Sequence, residues 1–356
     1  MRILYGVVGE GLGHATRSRV VAEHLIAQGH EVKMAASGRA LPYLRHHLPD
    51  VEEIWGLSFV LEHGQVDAWK TLCTNVRGGA RGIPSDWREG AEIARAFAPD
   101  LAVSDFDGFA YLFAKVHRLP VISVDNIQMV DRCRHDAKLL HGIHRDYDIA
   151  RAFVCGKIPR ADRYLITTFF RPPLRKRRTT LVPSILRPEI LAAKPEPGPH
   201  LVVYGRIGEA ATAALGASGV PCRVYGARDG LEGDVEEGNL RYRPFANEAF
   251  VDDLRTSRGV IASAGYSLMS EVVFLRKPML ALPLLGQFEQ EMNARYLARL
   301  GYGARSRALD EASLEKFLDR EPDYATALEQ YEQRDNTETL QTVDESIAEV
   351  IKERHR

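Results

Sequence analysis

Cysteine is scarce in this chain of 356 residues: Cys73, Cys133, Cys155 and Cys222 stand far apart. Such spacing excludes a disulfide-framed scaffold and any short-spaced zinc motif, and fits reduced thiols in a cytoplasmic protein. Long apolar runs are missing too. The greasiest stretch, 268–285, holds Glu271, Arg276, Lys277 and two prolines, so no segment is expected to span a bilayer. The apolar start over residues 1–8 stops too soon for the core of an export signal. Nor is there an excess of one charge. With 47 Lys and Arg against 48 Asp and Glu, the chain as a whole has no electrostatic reason to bind nucleic acid. His46, His47, His135, His141 and His144 lack convergent spacing, and no metal ligand is expected.

What is present describes a globular enzyme-sized chain. Hydrophobic residues make up 45% and aromatics 8%, which excludes extensive disorder. The length exceeds what one core supports and implies two domains with a cleft between them. Residues 2–8 predict a buried strand, 9–13 a glycine-rich loop, and 14–28 a helix stopped by Gly29. The alternation continues with strands at 31–36, 101–104 and 121–124, and helices near 84–97 and 109–117. A second series has strands at 201–204, 222–225, 240–242, 260–262 and 279–281. This predicts an α/β protein of two doubly wound, Rossmann-like parallel-sheet domains. The expected division is 1–170, a connection at 171–199, a second domain at 200–336, and a terminal helix over 337–356 that packs back. The connection is placed by Arg171 to Arg178 and by prolines 183, 188, 195, 197 and 199. Residues 163–187 hold seven Lys or Arg and no acid. They fit a solvated linker or, alternatively, peripheral contact with anionic lipid.

Candidate chemistry gathers at the carboxyl ends of the predicted strands, where open parallel sheets hold ligands. Gly9, Gly11 and Gly13 are spaced too closely for a dinucleotide fingerprint, and no acid ends the second strand. His14 at the helix start is either a cap or a general base, with Arg17 one turn later on the same face. Asp105 and Asp107 follow the strand at 101–104. Asp105 is the better histidine partner, whereas Asp107 also suits a helix cap. Asn126 and Gln128 edge the next strand and suit a hydroxyl-rich acceptor, or simple loop solvation. In the second half, Ser263, Gly265 and Ser267 open a helix. They form either an ordinary turn or an anion site, with Glu271 one turn inside to accept from a ribose diol.

A second segment, from Pro283 through Gln287 to Asn293, follows the next strand at the same edge. The pair resembles the nucleotide-sugar signature of GT-B glycosyltransferases, including the peptidoglycan N-acetylglucosaminyltransferase and the antibiotic and plant enzymes. Gly11, Gly13, His14 and Arg17 are similar to the Gly-x-Gly-His-x-x-Arg start of an uncharacterised bacterial and archaeal group of that fold. The resemblance implies that Gly265, Tyr266 and Ser267 meet a diphosphate, and that Glu271 meets the ribose. It implies that Gln287, Glu289, Gln290, Glu291 and Asn293 line the donor sugar, and Phe245 the nucleobase. Gly205 and Arg206 are expected at the diphosphate, Arg206 to neutralise its charge, although they replace a more glycine- and serine-rich loop, and Ala264 stands where relatives have a second glycine. The implied activity is metal-independent transfer from a nucleoside diphosphate-sugar, a UDP-sugar first, with His14 as base and no other cofactor. A nucleotide-sugar 2-epimerase and a silent nucleotide-sugar sensor are the alternatives.

Overall fold

The computed structural model describes residues 1–9, 11–54, 61–62, 65–66 and 85–354. They fall into two compact units, Met1–Ile185 with Asp335–Arg356, and Leu186–Arg334. In the first unit the chain runs β1 (Arg2–Val7), α1 (Leu12–Ala27), β2 (Glu31–Ala36), α2 (Ala40–His47) and β3 (Val51–Glu53). The short antiparallel pair β4 (Leu61–Glu62) and β5 (Gln65–Val66) follows, then α3 (Ser85–Phe97), β6 (Leu101–Asp105), α4 (Gly108–Val116) and β7 (Val121–Asp125). Helices α5 (Met129–Arg132), α6 (Ala137–Leu140) and α7 (His144–Lys157) lead to β8 (Arg163–Thr167) and β9 (Thr179–Val182).

Seven strands form one sheet in the order β3-β2-β1-β6-β7-β8-β9, every neighbouring pair parallel. Burial on both faces explains the unbroken apolar runs: every residue of β6 and β7 is buried. The chain steps outward from β1 to β3 and then returns to β6 on the other side of β1. That reversal makes a switch point between β1 and β6, where carboxyl ends diverge and leave a crevice. Gly6 of β1 is required by the packing there. A Cβ at this position would lie 2.3 Å from Asp107 Oδ2 and 2.6 Å from Ala110 Cβ, so only glycine lets α4 begin this close to the sheet.

The second unit runs α8 (Pro188–Ala192), β10 (Leu201–Tyr204), α9 (Glu209–Ala217), β11 (Cys222–Tyr225), β12 (Val235–Glu237), β13 (Leu240–Arg243) and α10 (Asn247–Arg255). It continues through β14 (Gly259–Ala262), α11 (Tyr266–Phe274), β15 (Met279–Ala281), α12 (Phe288–Leu300), β16 (Gly303–Arg305), α13 (Glu311–Asp319) and α14 (Glu321–Glu329). Its sheet order is β12-β13-β11-β10-β14-β15-β16, parallel except for β12, and its switch point lies between β10 and β14. Finally α15 (Thr337–Arg354) returns to the first unit, where Val343, Ile347 and Val350 join the core. Among the described residues no helix is long and apolar enough to cross a membrane.

The stretch expected to connect the domains is placed differently. Residues 179–182 form β9 against β8, so the first part of that stretch belongs to the first unit, and the boundary between Ile185 and Leu186 falls inside the expected connection of 171–199. The basic ribbon between these strands lies on α5, with a bridge between Cys133 and Leu174. Asp131, buried on α5, accepts from Arg175 at 3.1 Å and from Lys176, and meets Arg151 at 3.4 Å. Arg163 pairs with Glu349 and Glu353 of α15. Arg163, Arg175 and Lys176, which read as part of a solvated run, are therefore paired within the fold, with acidic partners 44 to 190 positions away in sequence.

Candidate functional site

The first switch point brings together the residues expected to carry catalysis. β1 ends at Val7, and α1 begins beside it with Gly11 as an N-cap that has no side-chain cap bond. His14, on the first turn of α1, places Nδ1 2.8 Å from Oδ1 of Asp105, the last residue of β6. Arg17, one turn on, donates from Nε to Asp105 Oδ2 at 2.7 Å and from Nη2 to Oδ1 at 2.5 Å. Ser18 donates to Oδ2 at 2.9 Å. Burial alone would raise this fully enclosed carboxyl, but Arg17 and His14 outweigh burial and hold it at about 2. Asp105 is therefore an anion with a satisfied shell.

Nδ1 of His14 has two neighbours of opposite character. Asp105 requires a proton on it, whereas Arg17 Nη2, at 2.7 Å, requires it bare. Arg17 already directs two donors at the carboxylate, so the tautomer with Nδ1–H toward Asp105 satisfies the larger set. That leaves Nε2 as the nitrogen able to take a proton, on a ring that is 18% exposed. Arg17 is only 4% exposed. Its guanidinium is turned toward Asp105, where it holds both carboxylate oxygens.

Asp107 caps α4, accepting from Ala110 N at 2.7 Å, and burial pushes its carboxyl up to about 6 against that hydrogen bond. Asp125 ends β7, accepts from Ser123 and from Gln128 N, and is pushed up to about 7 by burial and then by the nearby charge of Asp105. Asn126 donates to Thr167 O at 2.9 Å. Its Oδ1, and Nε2 of Gln128, find no partner among the described residues although both side chains are buried. A Cβ at Gly11 would meet nothing, and Gly13 accepts from Thr16 at 3.1 Å.

The second switch point gathers residues expected at the donor. Gly205 follows β10 with φ at 126°, a backbone open to glycine only. Arg206 beyond it is exposed and pairs with Asp229 at 2.8 Å. After β14, half-buried Ser263 and Gly265 lead into α11, whose Gly265 N-cap has no side-chain cap bond. Tyr266 is buried and Ser267 half-buried, leaving a backbone-lined, positive helix end suited to an anion. Asn293 of α12 reaches across to Ala264 O at 3.2 Å, and its Oδ1 is buried without a partner among the described residues.

Glu291 is tied to Arg295 and Arg305, and Gln290 accepts from Leu284 N at 3.1 Å, so both shape the β15–α12 turn. Gln287 and Glu289 stay partly exposed. Phe245 stands 51% exposed on a cluster with Tyr204, Tyr225 and Phe250, whose rings meet it tilted or edge-on.

Glu271 has a partner the sequence did not reveal. Arg187 donates from Nε and Nη2 to its two carboxylate oxygens, each at 2.7 Å, and from Nη1 to Asn247. Burial raises the Glu271 carboxyl and Arg187 opposes the rise. Arg187 lies in the stretch expected to be a linker, 84 positions from Glu271, and no local spacing signals the pair.

Comparison with known proteins agrees with this arrangement. The family model described as "Glycosyl transferase family 1" matches residues 1–322. An uncharacterized glycosyltransferase of Methanosarcina mazei is 25% identical over 337 residues, covering 85% of each chain. Among solved structures, Phytolacca americana UGT2, complexed with UDP-2fluoro-glucose and pterostilbene, superposes with a TM-score of 0.65 at 13% identity, covering 99% of this chain and 98% of that one. The spinosyn rhamnosyltransferase SpnG, complexed with thymidine diphosphate, gives a TM-score of 0.61 at 18% identity, with coverage of 93% and 95%. At these identities the structural matches establish the fold.

Proposed function

The chain belongs to glycosyl transferase family 1 and is a GT-B glycosyltransferase; from that premise we propose a direct transfer from a nucleoside diphosphate-sugar to an acceptor hydroxyl or amine. The observation that carries the mechanism is the His14–Asp105 pair at the first switch point. Asp105 holds Nδ1–H, Nε2 takes the acceptor proton as the sugar bond forms, and the anion stabilises the imidazolium that results. Arg17 and Ser18 fix the carboxylate. The second unit supplies the donor site. The open end of α11 at Gly265 and Ser267 takes the diphosphate and stabilises it as it leaves, without requiring a divalent metal. Phe245 offers its face to the base, Glu271 its remaining acceptor positions to the ribose, and Gln287 and Glu289 their polar groups to the sugar. Uridine is the first choice of base, given that UGT2 holds a UDP-sugar, and thymidine the second, given SpnG. Asn126 and Gln128, with unpartnered polar atoms, fit acceptor hydroxyls. Exposed Arg171, Arg177 and Arg178 leave a basic strip for anionic headgroups.

A thermal-shift screen of UDP, GDP, dTDP and their sugars tests the donor site, because a ligand of the native state raises its melting temperature. Stabilisation by a uridine or thymidine nucleotide, lost in Glu271→Ala, is the expected result. Mass spectrometry of the products then tests transfer: free UDP and N-acetylmannosamine from UDP-GlcNAc alone would refute it.

A further inference from the structure

Arg187 lies two positions into the second unit, with its side chain 9% exposed against Glu271 at 7%. Its guanidinium grips both carboxylate oxygens and is held from the far side by Asn247, whose Nδ2 lies 3.3 Å from Glu189. We propose that Arg187 sets the sugar tolerance of the nucleotide pocket, so that 2′-deoxyribonucleoside diphosphates bind only about tenfold more weakly than their ribose counterparts. The inference rests on the donor-site reading of Glu271 and goes beyond it by assigning the role of its buried partner.

The argument turns on what a missing hydroxyl leaves behind. A buried carboxylate that relied on the ribose diol alone would face an uncompensated charge when one hydroxyl is absent. Sites built to hydrogen-bond a substrate hydroxyl reject the analogue lacking it by about 10⁴- to 10⁵-fold. Here the charge has a bidentate partner before any nucleotide arrives. A carboxylate has about four lone-pair positions, and Arg187 occupies two, so each oxygen retains one for a hydroxyl. A 2′-hydroxyl therefore adds one hydrogen bond to a carboxylate whose charge is already paired, and its loss costs about tenfold in affinity, the low end for a bond to a charged group.

Calorimetric titration with UDP and with 2′-deoxyuridine 5′-diphosphate tests this, since the two differ in one hydroxyl. The wild-type protein is expected to prefer UDP by about tenfold. In Arg187→Gln the preference should widen by about tenfold or more, and Arg187→Lys, which restores charge without the fork, should fall between. A purely structural arginine would weaken both nucleotides alike, and an unchanged ratio in Arg187→Gln overturns the proposal. A wild-type preference of about a hundredfold or more overturns it without any variant having to fold. Binding of neither nucleotide to the folded wild type removes the donor-site reading and this inference with it, whereas strong ribose selectivity removes the inference alone.

Discussion

Replacing Asp105 by Asn separates the two tasks that the first half-site combines. The carboxylate is wholly buried and receives His14 Nδ1, two donors from Arg17, and Ser18. Asparagine keeps the shape but removes the charge, leaving the Arg17 guanidinium, 4% exposed, without its anion. Breaking a buried ion pair on one side costs about 3–5 kcal/mol. Asp105→Asn should lower the unfolding free energy by about that amount, read from the midpoint of urea denaturation. The double variant Asp105→Asn/Arg17→Met removes the stranded cation and should recover most of the stability. Activity should not follow. Without the carboxylate, His14 loses the group that fixes its tautomer and stabilises its charged form, so kcat should fall by about 10²- to 10⁴-fold in both variants. The assay is nucleoside diphosphate release with donor and acceptor, at a temperature where each variant remains folded, alongside nitrogen NMR of the His14 ring. Full recovery of kcat in the double variant, or an Asp105→Asn enzyme as fast as wild type, would refute the dyad.

Three further outcomes are expected. Asp105 and Asp125 act oppositely on stability with pH. The Asp105 contribution is present above its ordinary value of 3.8 and lost as pH falls toward about 2, whereas that of Asp125 is present below 3.8 and lost as pH rises through about 7. Asp107, pushed up to about 6, acts in the same sense, so thermal melts should show stability declining from pH 5 to pH 8, and Asp125→Asn should remove the part of that decline centred near pH 7. Gly6→Ala forces a methyl into Asp107 and Ala110 and should destabilise the first unit by about 1–3 kcal/mol in urea titration. Transfer should survive excess EDTA, because the helix end at Gly265 stabilises the diphosphate; a rate abolished by EDTA and restored by a divalent ion would show that it does not suffice.

Much of the architecture was legible because parallel strands buried on both faces leave continuous apolar runs, and glycines or acids mark their carboxyl ends. The strand at 101–104 followed by Asp105 located one wall of the crevice, and the Gly11–His14 turn the other. The structure brings His14 and Asp105 into hydrogen-bond contact, and it gives Asp107 the capping bond that was its alternative reading. Local pattern failed where charges pair over long range. Arg175 and Lys176 looked solvated because Asp131 is more than 40 positions upstream. Arg187 was passed over for the same reason. Its flanking prolines signal an irregular segment, and nothing near it indicates that its guanidinium reaches Glu271. Arg17 was legible as a neighbour of His14, but the direction of its side chain, toward Asp105, depends on burial that no spacing encodes.

The return of α15 bears on how the molecule is made. Val343, Ile347 and Val350 fill the core of the unit that carries His14, and Thr339 donates to Pro183 O at 2.9 Å. The unit synthesised first is thus the one whose interior cannot close until residues near 350 have left the ribosome, whereas residues 186–334 contain their entire core and are free to fold earlier. The histidine-bearing unit waits for residues 186–334 to be made, and α15 acts as the late step that completes it.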